Sequence, residues 1–88
     1  IPIHDLKVNG TSPSAVVLGF SNAEDATSVV LMQSIDGGNN WSPTNLHLDK
    51  NSTLAMVFGL SQGMTYHFQL IVTGGSRAGE SNIVSVTL

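Results

Sequence analysis

The run Leu60-Ser61-Gln62-Gly63-Met64-Thr65-Tyr66, leading into the alternating stretch Tyr66-His67-Phe68-Gln69-Leu70-Ile71-Val72, leaves few folds open to this chain. A leucine that closes one strand, a glycine turn, and a tyrosine six positions after that leucine opening the next strand make the local pattern of a tyrosine corner. In that device the phenol reaches back to backbone a few residues upstream and pins the crossover between the two sheets of a Greek-key β-sandwich. Leu60, Gly63 and Tyr66 are the residues expected to build it here.

Composition limits the rest. A chain of 88 residues is one domain, spanning 1-88, of a size that buries roughly 60% of the surface its unfolded form exposes. With no cysteine, neither a disulfide nor a thiolate metal site can stabilise it, so the 41% of apolar residues must carry the fold. Charged residues make up only 10%, the net charge is -3, and the three basic residues Lys7, Lys50 and Arg77 are scattered, which argues against a phosphate-backbone partner and so against nucleic acid. No apolar run approaches the ~20 residues that span a bilayer, so no membrane insertion is expected. Low charge with abundant Ser, Thr, Asn and Gly suits a secreted or surface-displayed β domain. The start at Ile1-Pro2, without an initiator methionine, reads as a piece of a larger multidomain protein.

Short apolar stretches recur with turn signals between them, and no stretch sustains the i, i+3, i+4 spacing of an amphipathic helix. An all-β chain of seven strands is predicted. The first is Ile3 to Val8, ended by Asn9-Gly10; the second is Ala15 to Phe20; the third is Val29 to Ser34. Asp36-Gly37-Gly38-Asn39 then turns the chain into a short strand around Trp41, which Pro43 keeps from extending, and Leu46 and Leu48 offer another short piece. Thr53 to Phe58 and Thr65 to Thr73 follow, with Gly74 to Gly79 as a mobile hairpin loop into the last strand, Ile83 to Leu88. Regular spacing without helices favours a seven-stranded two-sheet Greek-key sandwich.

The order of these features resembles a fibronectin type III domain over nearly the whole chain. Leu60, Gly63 and Tyr66 match the family's Leu-x-Pro-Gly-x-x-Tyr corner, with Gln62 where proline is common, and Gly79-Glu80-Ser81-Asn82 before Ile83-Val84-Ser85-Val86 is similar to the family's entry into its last strand. Phe20 falls where the family places a core tryptophan, and Val29 where a tyrosine is common. The resemblance implies a seven-stranded sandwich with no catalytic role. It also orients the strands: Val16, Leu18 and Phe20 share one inward face, and Tyr66, Phe68, Leu70 and Val72 another.

The fifth strand admits two registers. Counting back from Leu60 as the family does sends Ala55 and Val57 inward, leaving Leu54, Met56 and Phe58 outside beside the outward Val17; counting by bulk buries the larger set. The first count gives one sheet an apolar patch, the usual mark of a contact with another protein or a neighbouring domain.

The other candidates are weaker. Trp41 offers a platform for the apolar face of a sugar, set against simple packing on the adjacent strand. Arg77 and Glu80 lie in the loop where integrin-binding relatives carry Arg-Gly-Asp; here the run is Arg77-Ala78-Gly79-Glu80, without the aspartate, which leaves at most a weak protein contact. His4, His47 and His67 are dispersed, and only His47 and Asp49 share a strand face, so no metal site is expected. Asp36 to Asn40 lacks the downstream glutamate of a calcium loop and reads as a hairpin turn. Asn9, Asn40 and Asn51 open N-glycosylation sequons, of which Pro43 disfavours the middle one and Asn9 and Asn51 remain candidates. No nucleophile with a base, no zinc-binding His pair and no phosphate loop is present, so neither enzymatic activity nor a cofactor is expected.

Three functions fit. The first is a non-catalytic spacer or adhesion element within a larger extracellular, cell-surface or virion-surface protein. The second is a carbohydrate-binding accessory sandwich of a secreted hydrolase, with Trp41 as its platform. The third is a receptor ectodomain module that takes a protein ligand on Leu54, Met56 and Phe58.

Overall fold

The computed structural model describes all 88 residues, Ile1–Leu88, and every regular element in it is a strand. In chain order these are β1 (Lys7–Ser12), β2 (Ala15–Gly19), β3 (Ser28–Ser34), β4 (Ser42–Pro43), β5 (Leu54–Val57), β6 (Thr65–Thr73), β7 (Gly79–Glu80) and β8 (Val84–Thr87). One antiparallel sheet runs β1-β2-β5. The other runs β4-β3-β6, and the far edge of β6 is shared end to end by β7 and β8. Alternation does the sorting: Val16 and Leu18 from β2, Ala55 and Val57 from β5, Val29 and Leu31 from β3, and Tyr66, Phe68, Leu70 and Val72 from β6 meet in one buried core between the sheets.

The strand count differs from the expected seven because the last strand is interrupted. β7 pairs with Ile71 and Val72, β8 pairs with Thr65 to Phe68, and Ser81 bridges the gap. Its backbone N–H donates to the Leu70 carbonyl at 2.9 Å, and its hydroxyl accepts the Leu70 N–H at 2.8 Å, so the ladder stays satisfied where regular pairing lapses.

The first strand also sits further along than the sequence suggests. Asn9-Gly10 is not its terminating turn. Val8 pairs with Leu18 and Gly10 with Val17, so Asn9 is the extra residue of a bulge, and the chain reverses instead at Pro13-Ser14. The side chain of Asn9 lies directly over Gly19, where a Cβ would collide with it. The short strand expected around Trp41 falls at Ser42–Pro43, and Leu48 makes a single bridge to Val29.

Ile3 and Leu6 precede β1 and are nonetheless fully buried. Asn82 fixes the backbone of Leu6. Its amide oxygen accepts the Leu6 N–H at 3.1 Å, and its amide nitrogen donates to the Leu6 carbonyl at 2.9 Å, so one side chain imitates a strand partner for a segment 76 residues away. Asn82→Ala strands both groups and is expected to lower unfolding free energy by about 1–2 kcal/mol in a urea titration. Asn82→Asp is expected to recover little, since a carboxylate cannot donate to the Leu6 carbonyl.

Candidate protein-contact surface

The chain passes from one sheet to the other between β5 and β6, and the corner there fixes what β5 presents to solvent. Leu60 is buried and donates its N–H to the Ser14 carbonyl at 2.9 Å, anchoring the end of β5 to the β1–β2 turn. Gly63 takes φ of 87°, a conformation that a side chain resists, and donates to the Leu88 carbonyl at 2.5 Å. Tyr66 is buried, and its phenolic oxygen accepts the Ser61 N–H at 2.8 Å. The segment 60–66 is therefore tied to both sheets and to its own tyrosine.

Gly59, at φ of 75°, breaks the two-residue period between Leu60 and β5, so Leu60 and Val57, three positions apart, both point inward, and Ala55 follows Val57 along the strand. Ala55 and Val57 are buried at 2% and 6% exposure, while Leu54, Met56 and Phe58 stand outside at 55%, 48% and 68%. Val17 pairs with Met56 across β2 and β5, is half-buried, and extends the apolar surface to the middle strand. Met56 and Phe58 form a common wall between two surface hollows. One, of about 290 Å³, is lined on its far side by Gly10, Ala15 and Val17; the other, of about 390 Å³, lies toward Pro43, Thr44 and Leu46.

Arg77 and Glu80 are not part of this surface. They belong to the β6–β7 loop and to β7, at the edge of the other sheet. That loop is tied down, in contrast to the mobile tip expected from its glycines. Asp25 accepts the Ser76 N–H at 2.9 Å, the Ile1 ammonium donates to the Ser76 carbonyl at 2.6 Å, and a Cβ on Gly75 would stand 2.6 Å from the Asp25 carbonyl oxygen. The Ser76 N–H holds the Asp25 carboxyl below its ordinary pKa.

Trp41 is half-buried and committed to the turn that precedes it. Its indole N–H donates to the Gly38 carbonyl at 3.0 Å, and its ring lies 3.5 Å from where a Gly38 Cβ would be. Asp36 organises the same turn: it accepts the side-chain amide of Asn40 at 2.6 Å, the Asn40 N–H at 2.9 Å and the Ser34 hydroxyl at 2.7 Å, while Gly37 and Gly38 supply positive φ. The Asn40 amide, then its backbone N–H, then Ser34 hold the Asp36 carboxyl down to about 2.

A depressed carboxyl stabilises the fold in full above its unfolded pKa and loses that contribution as pH falls toward the folded value. The stability advantage of the parent chain over Asp36→Asn is therefore expected to be constant near neutrality, to begin shrinking near pH 4 and to close near pH 2. Denaturant midpoints of the two chains across that range check it.

His4 is exposed and within 3.3 Å of the Pro2 carbonyl, His47 is exposed, and His67 is half-buried with its Nδ1 unpartnered. No group of three or more His, Cys, Asp or Glu side chains converges. Among the sequons, Asn51 is exposed on the Asp49–Ser52 turn with its side chain free of hydrogen bonds, whereas Asn9 lies against Gly19. Several pins had no local signal in the sequence: Asn82 on Leu6, Asp25 on Ser76, and Asp5, which accepts both the N–H and the hydroxyl of Ser21.

No family model matches the chain, and no curated protein matches it in sequence. Solved structures do match in shape. The FN3 domain of human collagen XX superposes with a TM-score of 0.79 at 12% identity, covering 100% of this chain and 92% of that one. Domains A168-A170 of titin match with a TM-score of 0.74 at 16% identity, over 98% of this chain and 31% of that one. The twitchin kinase region of C. elegans matches with a TM-score of 0.70 at 20% identity, over 98% of this chain and 16% of that one.

Proposed function

From a fibronectin type III fold with one apolar sheet face, we propose that the chain works as a non-catalytic spacer and contact module of a larger extracellular, cell-surface or virion-surface protein. The observation that carries this reading is the outward trio Leu54, Met56 and Phe58. Three large apolar side chains, contiguous with Val17 on one sheet, are costly to leave in water and are the kind of surface that a neighbouring domain or a second protein covers. The matched titin and twitchin chains are several times longer than this one, which supports a modular use of the same fold. Low charge and exposed Asn51 agree with a surface location.

A contact face and a core respond differently to charge. Phe58→Asp is expected to change unfolding free energy by no more than about 0.5 kcal/mol while removing association through this face; a loss of several kcal/mol would place Phe58 in the core and end the proposal. The carbohydrate reading predicts retention on a polysaccharide panel that Trp41→Ala abolishes. With the indole N–H engaged by Gly38 and the ring half-buried, the parent chain is expected to bind none of the panel.

A further inference from the structure

Four strand edges border the two sheets, and three are guarded. β1 carries Lys7 and the Asn9 bulge, β4 is two residues long and ends in Pro43, and the β7–β8 edge is interrupted at Ser81 and lined by the exposed polar side chains of Ser85 and Thr87. Such features stop a further strand from adding. β5 has none of them: Thr53 to Phe58 contains no charge, proline or glycine.

Its backbone is also unmatched. The Phe20 N–H donates to the Thr53 carbonyl at 3.0 Å, and the pairing continues as Leu18 with Ala55 and Val16 with Val57. Hydrogen bonding alternates along an antiparallel strand, so Thr53, Ala55 and Val57 direct their amides toward β2, while Leu54, Met56 and Phe58 direct theirs outward. The three residues with apolar side chains in water therefore also carry the open edge donors and acceptors.

We infer that β5 pairs with β5 of a second copy of this chain, antiparallel and two-fold symmetric about Met56. This rests on the contact-module reading above and names the partner. The symmetric register sets Met56 against Met56 and Leu54 of each copy against Phe58 of the other, joining the two three-stranded sheets into one of six. Each copy supplies what the other lacks: backbone donors meet acceptors, an aromatic ring meets a leucine on the same face, and no charge opposes its like. A heterologous strand would satisfy the backbone equally; self-pairing is favoured because the two-fold register sets only uncharged apolar residues against one another and leaves no charge unmatched on either strand. The contact is small, below the ~1,200 Å² of a stable interface, so the dimer is a transient one seen at high concentration or when a host protein holds copies together.

Sedimentation velocity of the 88-residue chain over a concentration series, with amide exchange at its two ends, tests this. The expected result is a monomer–dimer equilibrium in which the Met56 and Phe58 amides slow with concentration while those of Ala55 and Val57 do not change. Met56→Pro removes only an edge N–H and leaves the β2 ladder intact, so it is expected to abolish the dimer; Met56→Lys, which sets two like charges together, serves if the proline variant unfolds. A chain that stays monomeric at the highest concentration overturns the self-pairing but not the contact-module reading, which Phe58→Asp tests separately. Self-association with unchanged Met56 and Phe58 exchange also overturns it, since that would be packing of the faces and not of the edges.

Discussion

Phe68→Ala is expected to cost about 3–5 kcal/mol, a large share of the stability of so small a domain. Phe68 has 0% exposure at the middle of β6, the strand that pairs with β3 on one side and with β7 and β8 on the other. Its ring stacks on Tyr66 at a centroid distance of 6.3 Å. Truncation removes the transfer free energy of a benzyl group and opens a void that β6, hydrogen-bonded on both edges, cannot move to fill. A small domain has only about 5–15 kcal/mol in total, and a chain without cysteine has no cross-link to restrain its unfolded state. Urea titration followed by far-UV circular dichroism reads the loss. Phe58→Ala is the matched control: the same residue type, 68% exposed, for which a change within about 0.5 kcal/mol is expected.

That contrast shows where the sequence was legible and where it was not. Bulk alone ranks Leu54, Met56 and Phe58 above Ala55 and Val57 and would bury the wrong set. Counting back from Leu60 as the family does reverses the choice, because the Gly59 turn between Leu60 and the strand lets Leu60 and Val57 both point inward, and the two-residue period then fixes every side chain on β5. β6 was legible by both criteria, since Phe68, Leu70 and Val72 share one face with the corner tyrosine. β1 was not. Asn-Gly is a strong turn signal, yet here it makes a bulge, because Asn82 pairs the backbone of Leu6 and the ladder with β2 starts only at Lys7.

The pins that escape the sequence share a property: each joins residues far apart in the chain. Asn82 reaches Leu6 across 76 positions, and Asp25 reaches Ser76 across 51. Local pattern carries periodicity and turns, whereas a single amide or carboxylate that substitutes for a strand partner has no period. The same physics limits functional reading. An apolar face shows up as alternation along a strand, but the identity of what covers it is written in the shape and polarity of the partner, and self-pairing rests on the uncharged, unguarded edge of β5.

Tyr66→Phe is the second large effect, about 1–3 kcal/mol, and it isolates the corner because the ring and its packing on Phe68 are retained. What changes is the Ser61 N–H, which donates to the phenolic oxygen at 2.8 Å and has no backbone carbonyl in its place. Removing the acceptor while leaving the donor is the costly form of hydrogen-bond loss, since Ser61 is held by Leu60 on one side and by the Gly63 turn on the other and cannot turn to find another partner. The effect is expected to appear in the denaturation midpoint without a change in its slope, because the same surface is exposed on unfolding. Amide exchange at Ala55 and Val57 offers a second reading of the same substitution: a looser corner frees the end of β5, so these amides, protected by the β2 ladder in the parent chain, are expected to exchange faster in Tyr66→Phe than global stability alone requires. Equal midpoints in the two chains would mean that glycine geometry and the Leu60 anchor hold the crossover without the hydroxyl.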